Sequence, residues 1–299
     1  MGSRRPLVAA LALCIAAFLF GATFVVVKEA ITFISPMSFI AWRFLLGGVV
    51  LALFALPRTM AVWRDGSLLG ILLFAGFALQ TEGLARTSAS NSGLITGLYV
   101  VFTPLLAALA SRFAGRPAVL RVPTLVGVLL AFVGLAMLTV GNGFSLAVGD
   151  LLTVGCAIAF AGHIVALSVI APRHPVVPLT AVQLLVTSVL AFALAAATGS
   201  LEVPGREVLM ALLLTGLVVS AGAFLIQVWS QTVLGPSRTA VLLALEPAFA
   251  AATAAVVLGE RLTPRGWAGA AIILVAIFLV LTQPEEPGVI EAEAVTPAH

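Results

Sequence analysis

Long apolar blocks follow one another along the whole chain, separated at short intervals by charges, prolines and glycines. A helix needs about 20 mostly apolar residues to cross about 30 Å of hydrocarbon. Ten blocks of that kind stand out, at residues 7–27, 37–57, 68–85, 91–113, 121–140, 149–170, 177–197, 207–231, 238–258 and 265–282. The pattern predicts an all-α membrane protein of ten transmembrane helices, with no stretch left for a domain outside the bilayer. Past Gln283, four glutamates (Glu285, Glu286, Glu291, Glu293) and three prolines predict a disordered acidic tail over 284–299.

Composition removes the soluble alternatives. The chain has 299 residues, of which 62% are hydrophobic and 9% charged, with a mean hydropathy of +1.21. A soluble domain is about 45–50% apolar and about 25% charged, so this chain could not cover a water-facing surface. A net charge of +3 without any run of Lys or Arg builds no nucleic-acid patch. Cys14 and Cys156 fall inside apolar blocks, where they pack as small hydrophobes rather than forming a disulfide or a zinc site. The start, Arg4-Arg5-Pro6, resembles a secretory or twin-arginine leader. Its apolar run is too long for a signal core and has no small-residue cleavage site, so an uncleaved first helix is expected.

With an even number of spans both termini share a side. Cytoplasmic termini put nine cations inside (Arg4, Arg5, Arg58, Arg64, Arg112, Arg116, Arg121, Arg173, Arg238) and five outside (Lys28, Arg86, Arg206, Arg261, Arg265). That satisfies the positive-inside rule. The bias belongs to the first five spans, seven against two, whereas the last five show two against three. A second copy of an odd-numbered unit, turned over by the first, is compatible with that split.

The halves also resemble each other. Phe74–Gln80 resembles Ser220–Gln227, and Thr96 and Pro104 fall on Thr239 and Pro247 at a shift of 143 residues. Gly127 and Gly269 then open the last span of each half. Two five-span repeats, 1–143 and 144–283, with opposite orientation, form a transporter architecture whose substrate site lies near the midplane between repeats. Pro104 and Pro247 would free backbone carbonyls there.

Polar side chains inside the blocks mark the candidate site. Ser92, Thr96, Tyr99 and Thr103 are spaced to share one face of span four. Thr239, Glu246 and Thr253 recur every seven residues along span nine, and the repeat puts Thr103 at the position of Glu246. The two stripes read as walls of a shared cavity, or as hydrogen-bonding glue between helices. Glu246 lies near the middle of its span, where an ionised side chain is costly. It is a candidate for proton coupling, for contact with a substrate amine, or for capping freed carbonyls. Gln80, Gln227 and Trp229 join the cavity candidates. His163 joins them too, although a lone buried histidine is more often a hydrogen-bonded packing residue. Arg43, a permanent cation in span two, lies at a depth comparable with Glu82 in span three. The two are expected to form a structural ion pair, with a substrate contact as the alternative role for Arg43.

Catalytic constellations are missing. The only aspartates, Asp65 and Asp150, are expected at loop positions, which excludes a buried aspartyl dyad, and neither serine-protease nor zinc-protease motifs nor a Walker A loop occurs. Phosphorylated substrates are disfavoured because their sites gather several cations. No metal and no cofactor is implied.

Some segments resemble a known family. Leu245-Glu246-Pro247-Ala248-Phe249 running to Leu258-Gly259-Glu260-Arg261-Leu262 is the most specific; Trp42-Arg43-Phe44 and Asn91-Ser92-Gly93-Leu94 also fit. Over residues 7–282 the chain resembles the EamA-type exporters of the drug/metabolite transporter superfamily. The resemblance implies a basket of ten helices with a cavity lined by spans one, three, four, six, eight and nine, and alternating access between the halves. It implies export of amino acids, their derivatives or small drug-like metabolites, with some relatives carrying sugars or nucleotide-sugars. Glu246 and Glu260 match recurrent acidic positions of that family. The expectation is a secondary transporter of the bacterial cytoplasmic membrane, with both termini cytoplasmic. Its partners would be a small-molecule substrate, the lipid bilayer and candidate coupling protons, with no nucleic acid. A monomer is sufficient and a dimer compatible. An uncoupled facilitative carrier and a non-transporting scaffold are the alternatives.

Overall fold

The computed structural model of the protein describes residues 4–113, 115, 122–139, 147–243, 245–261 and 263–281. Their regular secondary structure is entirely helical. The first part of the chain forms α1 (Arg4–Ala30), α2 (Pro36–Phe54), α3 (Met60–Ala85), α4 (Ala89–Thr96), α5 (Tyr99–Phe113) and α6 (Val122–Thr139). The second forms α7 (Val148–Ile170), α8 (Val176–Ala197), α9 (Arg206–Leu213), α10 (Phe224–Leu243), α11 (Glu246–Val257) and α12 (Pro264–Leu281). A 3-10 turn, Ala171–Arg173, follows α7, and a π-helical stretch, Leu214–Ala223, joins α9 to α10. The predicted tail 284–299 lies outside the described residues.

Among the described residues, seven stretches are long and apolar enough to cross a bilayer: Pro6–Ala30, Pro36–Phe54, Met60–Ala85, Ala89–Phe113, Val148–Arg173, Val176–Ala197 and Arg206–Leu234. Shorter apolar helices cover Glu246–Val257 and Pro264–Ala276. Large apolar side chains such as Leu11, Ile15, Leu53, Phe54, Val189 and Phe278 point outward from these helices. A water-soluble surface does not tolerate so much contiguous apolar area, whereas lipid requires it. The chain is a multi-pass membrane protein.

The structure changes four predicted spans. The third begins at Met60 rather than 68, because the Thr59 side chain accepts the Val62 N–H and caps the helix. Arg64 and Asp65 therefore lie on the opening turns of α3. There Asp65 accepts hydrogen bonds from Arg64 Nε and His174 Nε2, both at 2.8 Å. Span four is tightened at Gly97–Leu98, where Leu98, Val100 and Val101 donate three residues back instead of four. Gly97 is needed there because a Cβ would overlap the ring of Pro247. Spans eight and nine are divided differently from the expectation. Helical geometry runs on to Leu243, and a new helix starts at Glu246 with Pro247 in its first turn. Proline opens a helix readily because the first N–H groups need no intrahelical partner. The expected single face through Thr239, Glu246 and Thr253 is corrected accordingly: Thr239 belongs to α10 and the other two to α11.

Helices from the two parts of the chain interleave. α2 packs on α8, α4 on α11, α6 on α12, α1 on α10 and α11, and α7 on α3 and α5. Small residues allow the closest approaches, as membrane helices without a hydrophobic driving force require. A Cβ on Gly21 would stand 2.6 Å from the Glu246 carbonyl, and one on Gly47 would stand 2.7 Å from the Gly216 carbonyl.

One end of the bundle is tied across the chain. Gly259 takes a left-handed conformation (φ +65°) after α11, which glycine adopts without the steric cost of a side chain, and so turns Glu260 back toward α4. Glu260 accepts the Ala89 N–H at 3.0 Å and the Ser90 N–H at 2.9 Å, the two leading amides of that helix. Burial by itself would raise the Glu260 carboxyl, but hydrogen bonding from Ser90, the Ala89 amide and the Lys28 charge together hold it below its ordinary value. Lys28 Nζ donates to the carbonyls of Leu84 and Thr87, and Thr87 Oγ1 donates to Asp150 at 2.7 Å.

Candidate functional site

A cavity opens between the interleaved helices, enclosing about 650 Å³ including the part open to solvent. That upper bound excludes a macromolecule. The first half of the chain supplies Phe20, Thr23, Phe24 and Val27 from α1, Arg43 from α2 and Leu73, Phe77, Gln80, Thr81 and Leu84 from α3. Tyr99, at the head of α5, completes that side. The second half supplies Phe160, His163 and Ile164 from α7, Phe224, Gln227 and Leu243 from α10, and Glu246 at the head of α11.

The tightened turn before α5 and the break before α11 bring Tyr99 and Glu246 together. Tyr99 Oη lies 2.8 Å from the Leu243 carbonyl and 3.3 Å from Glu246 Oε2. The hydroxyl has one proton, so the shorter contact to the carbonyl is the stronger of two competing acceptors. Leu243 is the last residue of α10, where a carbonyl has no intrahelical donor.

The other expected polar residues divide into those that face the cavity and those that do not. Gln80 faces it and donates to Thr96 Oγ1 at 3.4 Å. Thr96 stands behind Gln80, fully buried, with Cys156 Sγ 4.0 Å away. Thr103 turns its hydroxyl back to the Tyr99 carbonyl (2.6 Å) and is not on the wall. His163 faces the cavity with Nε2 2.8 Å from Gln183 Oε1, while the Gln183 amide nitrogen has no partner among the described residues. Gln227 reaches Gln231 at 3.4 Å, and Gln231 in turn reaches the Ile164 carbonyl. Thr239 is buried in α10 away from the wall, and Trp229 packs against the apolar core. Among the described residues no cluster of His, Cys, Asp or Glu could hold a metal ion.

The expected ion pair between Arg43 and Glu82 does not form. Glu82 pairs with Arg86 one turn along its own helix. Arg43 is 4% exposed and donates from Nε to Ser220 Oγ at 2.9 Å. Equal depth in adjacent spans had suggested a contact, but α3 turns Glu82 toward Arg86 at its own C-terminal end while α2 turns Arg43 inward. The guanidinium carbon lies 5.2 Å from the Phe44 ring centre and 5.0 Å from that of Phe77. Those rings continue into an edge-to-face cluster, Phe77 against Phe160 at 5.1 Å and Phe20 against Phe224 at 5.1 Å. Sequence reading missed this aromatic wall, because phenylalanines at helical spacing look alike whether they face lipid, a neighbour or a cavity.

Comparison with known proteins places the architecture. Residues 7–140 and 147–282 each match the EamA-like transporter family. An uncharacterized transporter of Archaeoglobus fulgidus is 35% identical over 280 residues, 92% of this chain and 86% of that protein. The uncharacterized transporter YvbV of Bacillus subtilis is 30% identical over 191 residues, 60% of each chain. The WAT1-related protein At3g02690, chloroplastic, of Arabidopsis thaliana is 28% identical over 286 residues, 88% of this chain and 67% of that one. A protein of known crystal structure, 21% identical, shares the fold with a TM-score of 0.66 over 92% of this chain and 98% of its own.

Proposed function

The chain belongs to the EamA-like transporter family, and from that membership we propose that it is a secondary transporter exporting small metabolites, with amino acids and their derivatives as the leading class. Ten spans in two inverted five-helix repeats, 1–143 and 144–283, are the architecture attached to this reading. The helix contacts support it, because they survive exchange of the halves. The pairs α2 with α8, α4 with α11 and α6 with α12 join equivalent spans. The contact of α1 with α10 has its counterpart in α7 with α3, and α1 with α11 has its counterpart in α7 with α5.

The observation that carries the function is the make-up of the cavity wall. Gln80 and Tyr99 from one half and His163, Gln227 and Glu246 from the other turn polar groups into a space otherwise faced by phenylalanines. A mostly apolar pocket with a few convergent polar groups suits a small amphipathic solute. Alternating access would rock one half against the other around it, releasing the tie of Glu260 to α4 at one end. The protein would sit in the bacterial cytoplasmic membrane with both termini cytoplasmic, which puts that tied end outside. A monomer is complete, since each half supplies its own side of the cavity. Glu246 is the candidate proton-coupling group.

The test is uptake of a labelled amino-acid panel into proteoliposomes, with and without an imposed pH gradient. Saturable uptake that follows the gradient is the expected result. Uptake indifferent to the gradient would convert the reading to a facilitative carrier. No uptake by a folded sample would remove amino acids; the phenylalanine-rich wall then favours drug-like hydrophobic solutes over a mere scaffold.

A further inference from the structure

Arg43 is a buried permanent cation that no carboxylate among the described residues approaches within ion-pairing distance. Leaving such a charge without a counter-ion is costly in a low-dielectric site, and a purely structural position would be filled more cheaply by an apolar side chain. Its surroundings hold the guanidinium without neutralising it. Ser220, in the π-helical stretch, takes the Nε–H, and Phe44 and Phe77 stand at cation–π distance. The two terminal amino groups make no hydrogen bond among the described residues, and Arg43 lines the cavity.

We infer that Arg43 is the anchor for a carboxylate on the transported solute, and that the solute's apolar body lies against the ring cluster of Phe77, Phe160 and Phe224. With Nε occupied, the fork that remains is the pair of terminal amino groups, which matches the two oxygens of a carboxylate side by side. One cation suits a single carboxylate better than a phosphate, whose sites gather several. The substrates are therefore apolar carboxylates, either amino acids with large apolar side chains or their derivatives that keep the acid group. This rests on the transporter reading and narrows its substrate class.

The experiment measures binding to the purified full chain of two matched pairs: phenylalanine with phenylalaninamide, and 3-phenylpropionate with 3-phenylpropionamide. Each pair keeps the apolar body and removes the negative charge, once beside an ammonium group and once without it. The acid should bind at least about tenfold more tightly than its amide in at least one pair, the scale of a charge-assisted hydrogen bond. In Arg43→Gln that preference should fall to about twofold or less through loss of acid binding, with amide binding little changed. Arg43→Lys, which keeps the charge but not the fork, should fall between. Should Arg43→Gln fail to fold, Ser220→Ala takes its place, since loosening the guanidinium should weaken the acid and spare the amide. Equal binding of acid and amide by the wild type overturns the inference while leaving a carrier intact. So does a preference that survives in folded Arg43→Gln. If no member of either pair binds and the amino-acid panel also fails to move, the carrier reading for amino acids falls together with this one.

Discussion

Tyr99 and Glu246 meet across the seam between the two halves, each at the first residue of a helix that restarts beside the cavity. Their contact exists because two interruptions, at Gly97–Leu98 and just before Glu246, bring separate helix starts to the same cavity. Glu246 is buried and lines the cavity, so a solute in the cavity lies against it.

Glu246→Gln keeps the size and hydrogen-bonding reach of the side chain but cannot exchange a proton. Transport by this variant is expected to lose its response to an imposed pH gradient while keeping substrate-dependent exchange. Proteoliposome uptake at matched and unmatched pH provides the comparison, and a preserved gradient response would rule out coupling at this residue.

Removing the Glu260 cap tests the tied end. Glu260→Ala leaves the Ala89 and Ser90 amides of α4 without their acceptor and is expected to destabilise the protein by about 1 kcal/mol or somewhat more. The folded carboxyl is held below its ordinary value of 4.5, so its contribution is complete above that pH and is lost as pH falls through the lowered value. Melting temperatures of wild type and variant in detergent should therefore differ at pH 7 and draw together as the pH falls below 4.5 through the lowered value. A gap that stays constant on acidification would contradict this assignment.

Gly97→Ala places a methyl group against the Pro247 ring, a contact between backbone-anchored groups that have little room to yield. Overpacking of this kind costs about 1–3 kcal/mol. A lowered melting temperature with loss of transport is the expected outcome, whereas a wild-type melt would show that α4 and α11 can part at little cost.

Exchanging the charges of Arg43 and Glu82 should not rescue either single change. Glu82→Gln alone is expected to cost at most about 1 kcal/mol, because its partner is Arg86 on an exposed helix end. Arg43→Glu buries an uncompensated anion among phenylalanines and should abolish folded protein on size-exclusion chromatography. Recovery in the double variant would restore the ion pair that the structure removes.

The membrane-spanning character was legible in the sequence because it rests on long-range composition that local geometry does not disturb, and the internal repetition because matched residues recur in the same order in both halves. Helix ends were less so. Punctuation at charges placed the start of α3 too late, since it could not see that Thr59 caps a helix whose first turns carry Arg64 and Asp65. Pro247 looked like a mid-helix kink, but proline signals a helix start equally well, and only the neighbouring chain decides between the two. For the cavity, spacing identified Tyr99 and Glu246, whereas it gave no means of telling Thr103, bonded back to its own helix, from a wall residue. Arg43 was recognised as unusual, but depth alone assigned it a partner that the helix rotation denies.

The cap on α4 comes from beyond the other end of the chain's midpoint, and Gly21 and Gly97 are seats shaped for a helix that their own half does not contain. Neither half, made as a separate polypeptide, would have a finished surface: the first would expose bare amides at the head of α4, and the second would carry α11 with nothing to lie in. Two such fragments produced in the same cell should therefore each be short-lived alone and assemble when made together, with the complementing pair recovering the transport that neither fragment has.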